Sequence, residues 1–140
     1  MSVAEPLPDP TTARAELAAL AELAAAQAGV VSRAQLRELG IGRRLVRTEL
    51  RARRWRRIHP KTYVTFTGPA PPLTRVWAAI LYAGRDAIAS HETAAWLHRL
   101  RPDLPPTVEV SVPHGRLHRG SRPGVRVWQR RRWREIRQPA

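Results

Sequence analysis

Between residues 30 and 66, helix start and stop signals follow one another so closely that few folds can accommodate them. Ser32 with Gln35 three positions on forms a capping box, in which each side chain can satisfy an orphan backbone amide of the other. Gly40 stops the short helix that they open, and Ile41 can fold back onto it. After Gly42, the string RRLVRTELRARR has a helical period. Leu45, Val46 and Leu50 share one face, Arg43, Arg47, Arg51 and Arg54 share the other, and Arg44 and Thr48 lie beside them. The stretches 55–59 and 62–66 are rich in aromatic and β-branched residues on either side of Pro60-Lys61, which predicts a β-hairpin.

Ahead of this region, residues 1–8 are Pro-rich and expected to be disordered. Asp9 can cap a helix with Pro10 at its first position. Leu17, Leu20, Ala21, Ala24 and Ala28 then recur at helical spacing, and Gly29 can stop the helix before a short extended step at Val30-Val31. The order is helix, short helix, tight turn, basic helix and basic hairpin. It predicts a winged helix-turn-helix over residues 9–67, in which the basic helix enters the major groove and the hairpin lies along the DNA backbone.

Residues 68–72 are expected to be a linker, within the string GPAPPLT. A second unit is expected over residues 73–129. Its first helix, LTRVWAAILYAG, has Val76, Trp77, Ile80 and Leu81 on one face and Gly84 as terminator. Its second, HETAAWLHRL, is capped by Ser90. TVEVSVP alternates as a strand with Val108, Val110 and Val112 on one face, and VRVWQ alternates again and is expected to return as the partner in a β-hairpin. A basic tail occupies residues 130–140. The fold class expected is α+β: a winged helix-turn-helix followed by a small α/β domain with two helices and a hairpin.

Charge narrows the partner. The formal net charge is +14, and residues 1–29 hold four acids against one base. The remainder holds 24 of the 25 bases and seven of the 11 acids. Such an imbalance favours a polyanion, because each neutralised phosphate releases counterions. All the bases but Lys61 are Arg, which binds phosphates and guanine edges bidentately. Arg43, Arg44, Arg47, Thr48 and Arg51 are the expected base and phosphate contacts of the recognition helix. Arg56, Arg57 and Lys61 are the expected phosphate contacts of the wing. Trp55 and Tyr63 are expected in the core. Single-stranded RNA binding through the Arg-rich residues 130–137 is an alternative that composition leaves open.

The composition also excludes chemistry. The chain has no Cys, hence no disulfide, Cys-bearing zinc site or Cys nucleophile. The string SHETAAWLHRL suggests a zinc peptidase, but that motif needs two His four apart on one helix face. His91 and His98 are seven apart, about two turns or roughly 10 Å along the axis, too far for one metal ion with bonds of about 2 Å. Both are better read as polar or partner contacts. His114 and His118 could join them in a metal site only by a folding that spacing does not specify. There is no P-loop, dinucleotide fingerprint or nucleophile triad, and the seven acids after residue 29 are scattered. No catalytic residue, metal or cofactor is expected. No apolar run approaches the roughly 20 residues of a membrane helix, and the N-terminus lacks a signal-peptide pattern. A cytoplasmic location without membrane contact is expected.

Residues 29–129 resemble the AbiEi-type antitoxins. VVSRAQLRELGIGRRLVRTELRARRWRRIHPKTYV is similar to their N-terminal winged helix, and SH-x-TAAWLH, TVEVSVPHGRLHRG and GVRVW to the start of their second domain. The resemblance implies a transcriptional autoregulator of a type IV toxin–antitoxin operon. Its first domain would bind operator repeats in double-stranded DNA, and its partner would be a nucleotidyltransferase-like toxin encoded nearby. Similar proteins also continue into a very-short-patch-repair-like endonuclease domain, so a truncated remnant of such a protein is the alternative. The family usually has Gly where this chain has Arg53, Gly-Val in place of Lys61-Thr62, and Gly in place of Arg99. Each Gly replaced there is one that can supply a turn of positive φ in the family, so these departures bear on the geometry of the wing.

Overall fold

The computed structural model describes residues 9–115 and 119–131. The chain is α+β, with five helices and two three-stranded sheets among the described residues. Helix α1 spans Pro10–Ala26 and is capped by Asp9, whose carboxylate accepts from the amides of Thr11 and Thr12. Its end is tightly constrained. Ala28 and Gly29 both have positive φ, and the Gly29 amide donates to Ala24 O at 2.7 Å. A Cβ on Gly29 would lie 2.5 Å from the Phe66 ring, so this position excludes a side chain on two grounds.

The first sheet comprises β1 (Val30–Ser32), β2 (Arg56–His59) and β3 (Thr62–Val64) in the order β1-β3-β2, with both pairings antiparallel. Between its strands the chain forms α2 (Arg33–Glu38) and α3 (Arg43–Arg51). The capping box forms: Ser32 Oγ accepts from the Gln35 amide at 3.2 Å, and Gln35 accepts from the Ser32 amide at 3.1 Å. Gly40 has φ 80°, and the Ile41 amide donates back to Leu36 O at 2.8 Å. Leu20, Val31, Leu36, Ile41, Val46, Trp55 and Tyr63 make one buried cluster, as the pattern of apolar positions requires. Helix α3 ends three residues earlier than its repeat suggests. Arg54 therefore does not extend the Arg face; it turns back to bind Glu49 through two hydrogen bonds of 2.7 and 3.1 Å.

Helix α4 (Pro72–Ala83) follows the segment expected to be a linker and packs against both sheets. On one side Ala78 fits against Val30 and Val64, and Thr74 Oγ1 donates to Ala28 O at 2.8 Å. On the other side Val76, Ala79, Tyr82 and Ala83 pack on the second sheet. The expected apolar face is thus corrected. Of Val76, Trp77, Ile80 and Leu81 only Val76 is fully buried, and the deepest places go to small residues. A helix held between two sheets must bury opposite sides, and small side chains allow the close approach.

The second sheet has the order β4-β5-β6, from β4 (Ile88–Ala89), β5 (Val108–Pro113) and β6 (Val125–Arg130). The expected hairpin is not formed: β5 and β6 run parallel, with Val108 opposite Val125 and Pro113 opposite Arg130. A hairpin would set the start of β6 beside the end of β5. Here the connection returns the chain to the start of β5, where the Val108 amide donates to Gly124 O at 2.9 Å. Helix α5 (His91–Leu97) lies against β5. Ser90 stands at its N-cap, but its hydroxyl makes no capping bond and is buried without a partner, which corrects the expected cap. The helix stops at Leu97 because Arg99 takes φ 60° and the Leu100 amide donates to Ala95 O at 2.8 Å.

Arg53, Lys61 and Arg99 have φ of 60°, 57° and 60°, so three cationic residues stand in the left-handed region that favours Gly. Substituting Gly at any one should stabilise the fold by roughly 0.5–1 kcal/mol, since a left-handed L-residue costs about 1–2 kcal/mol and the added chain entropy of Gly offsets part of it. Gly29→Ala should destabilise it by more than about 2 kcal/mol. Urea denaturation of the four variants checks both signs.

Candidate nucleic-acid interface

Helix α3 turns Val46 into the core and leaves Leu45 and Leu50 half-buried. The opposite side carries Arg43, Arg44, Arg47, Thr48 and Arg51, and all five are exposed. From the first to the last they cover about 12 Å of helix axis, comparable to the width of a DNA major groove. The five expected contacts of this helix therefore share one accessible face. The surface can donate to phosphates and to base edges, and Arg at four of its five positions permits bidentate contacts.

The hairpin residues do not join them as a group. Arg56 is half-buried; its guanidinium donates to Phe66 O at 3.1 Å and sits 5.6 Å from the Phe66 ring centroid. Arg57 is exposed on the neighbouring position. Lys61 occupies the tight turn, beside the start of α2, where its carbonyl accepts from the Arg33 amide at 2.9 Å. Its side chain lines a cleft between α2 and α4 rather than extending the α3 face. Arg33 and Arg37 line the same cleft and were not among the expected contacts, although their separation of one helical turn is readable in the sequence.

His59 lies behind this turn and is only 8% exposed. Its ring is 5.4 Å from that of Tyr82, and its Nδ1 has no hydrogen-bond partner. Burial, with the Arg122 charge as a second cause, pushes its pKa down to about 4. Arg119 and Arg122 place their guanidinium groups 5.4 and 5.8 Å from the Tyr82 ring centroid, and Arg119 donates to Pro60 O at 2.8 Å. The hairpin turn is thus held against the second half of the chain by a neutral His in a cationic setting.

The two His of SHETAAWLHRL stand at opposite ends of α5. His91 is exposed, with φ 52°. Its Nε2 is 2.6 Å from Arg130 Nη2, so it accepts and the ring proton sits on Nδ1. Its ring lies 4.8 Å from that of Trp128, whose indole donates to Glu109 at 2.8 Å. His98 is the exposed C-cap residue. Among the described residues no group of three or more His, Asp or Glu side chains is placed to hold a metal ion. His114 is exposed at the end of β5, and His118 lies outside the described residues.

No protein-family model matches the chain, and no curated protein is significantly similar to it. No helix among the described residues is long and apolar enough to cross a membrane.

The His59 site sets a pH dependence. Unfolded, this imidazole takes up a proton near pH 6.5; folded, only near pH 4. Between those values the unfolded chain binds more protons, so stability falls as pH drops from about 7 toward 4. Calorimetry at pH 7 and 4.5 should register a loss on the order of 2 kcal/mol from this group. His59→Phe should remove that part of the dependence.

Proposed function

We propose that this protein is a DNA-binding regulator of the winged helix-turn-helix type, with α3 laid in the major groove of duplex DNA. The observation that carries the reading is the exposed face of Arg43, Arg44, Arg47, Thr48 and Arg51. The element order from α1 to β3 and the sheet order β1-β3-β2 are consistent with that class. A net charge of +14 supports a polyanionic partner. The wing in this reading is short, because only Pro60 and Lys61 separate its strands. Arg57 and Lys61 are its phosphate contacts, and Arg56 holds Phe66 in place. On the resemblance carried by the sequence, the wider role is that of an AbiEi-type antitoxin. It would repress its own operon at operator repeats, in the cytoplasm, with a nucleotidyltransferase-like toxin encoded nearby.

Fluorescence anisotropy on duplex DNA from upstream of the coding sequence tests the reading. Binding should weaken steeply with salt. Replacing Arg47 and Arg51 by Ala should reduce the slope of log K against log salt by about 0.9 for each phosphate that the variant no longer neutralises. Where either Arg also reads a base edge, its removal should cost a further 1–3 kcal/mol or so, about the worth of one bidentate pair. Arg56→Ala should leave the slope unchanged. Salt-insensitive binding, or binding indifferent to the double substitution, would sink the proposal.

A further inference from the structure

The cleft between α2 and α4 has a volume of about 830 Å³ and a composition that DNA binding does not use. Its walls carry five cationic side chains, Arg33, Arg37, Lys61, Arg85 and Arg119, against one acid, Glu38. Trp77, Ile80 and Leu81 also line it. These are large apolar residues of α4, and each is only half-buried: Trp77 and Leu81 pack with one edge against the cluster of Val30, Val64 and Ala78, and Ile80 against the cluster on the second sheet, while their remaining surface lines the cleft. They stand at i, i+3 and i+4, so they form a single stripe along the helix.

We propose that this cleft is a docking groove for an acidic amphipathic helix of a partner protein. Such a helix presents apolar anchors at i, i+3, i+4 and i+7, which match a groove floored by one apolar stripe, and its flanking carboxylates meet the cationic walls. Duplex DNA would meet the cations but has no apolar surface to cover Trp77, Ile80 and Leu81. The one acid does not block entry. Glu38 and Arg85 approach to 3.5 Å with side chains 66% and 86% exposed, and a pair so hydrated opens at little cost. Arg119, fixed through Pro60 O and Tyr82 O, contributes its charge from a set position. Lys61 is the only residue shared with the DNA-binding reading, so the two surfaces can be tested separately.

The test is a phage-display selection of random 18-residue peptides on the full chain with Arg43, Arg47 and Arg51 replaced by Ala, which removes the other basic face. Enriched peptides should be acidic with helical apolar spacing. As labelled synthetic peptides they should bind with micromolar Kd, and Arg37→Glu with Arg85→Glu should weaken them at least about tenfold, with unchanged circular dichroism. A duplex oligonucleotide of equal charge should fail to displace them. The proposal is overturned if no acidic amphipathic class is enriched, or if the double variant binds equally well. Displacement by the oligonucleotide would assign the cleft to nucleic acid instead. Self-association of the chain that Arg37→Glu abolishes would assign it to a second copy.

Discussion

The position of one helix governs the rest of this molecule. α4 is the element that packs on both sheets, and it does so through small side chains: Ala78 against Val30 and Val64 on one side, Ala79 and Ala83 against the valines of β5 and β6 on the other. The hydrogen bond from Thr74 to Ala28 O fixes its start against the left-handed turn that ends α1. A larger residue at position 78 would wedge the first sheet away, because a close-packed interior has no free volume to accept it. The first sheet is thereby covered on the side away from α3, which leaves the basic helix as the outward surface. Trp77, Ile80 and Leu81 pack at the margins of the two cores and leave part of their surface to the cleft.

Electrostatics distinguishes cations that bind the fold's own acceptors from a group of cations gathered on one exposed face. Arg54 is tied to Glu49, Arg56 to Phe66, and Arg75 to the carbonyls of Pro105 and Pro106 at 2.7 Å each. These guanidinium groups satisfy backbone or carboxylate acceptors and serve the fold. The exposed face of α3 has a different character: its charges are gathered on one side of a helix whose other side is anchored by Val46. In a chain with so few acids this gathering gives the net charge a direction, and it makes α3 the natural first contact for a polyanion.

The first half of the fold is legible in the sequence because each boundary there is set locally. Asp9, the Ser32–Gln35 box, Gly29 and Gly40 act within a few residues, and each does in the structure what its chemistry suggests. The left-handed turns at Arg53, Lys61 and Arg99 carry no such mark of their own, since Arg and Lys do not announce positive φ. The second half depends on contacts far apart in the chain. Alternation identifies β5 and β6 as strands but is silent on their direction, which the return of the chain to Val108 decides. The size of Trp77, Ile80 and Leu81 suggests a core face, whereas a helix with neighbours on two sides buries its alanines. The α3 face is legible because period and charge coincide there. The basic cleft is not, because it joins α2, α4 and the hairpin turn.

The central claim is that α3 is the surface that meets DNA. An NMR titration of the labelled chain with a duplex from its own upstream region tests this residue by residue. The amides of residues 43–51 should shift most, with smaller changes at 57 and 61 and little at α5 or β5. Shifts concentrated on the second sheet, with α3 unmoved, would contradict the claim.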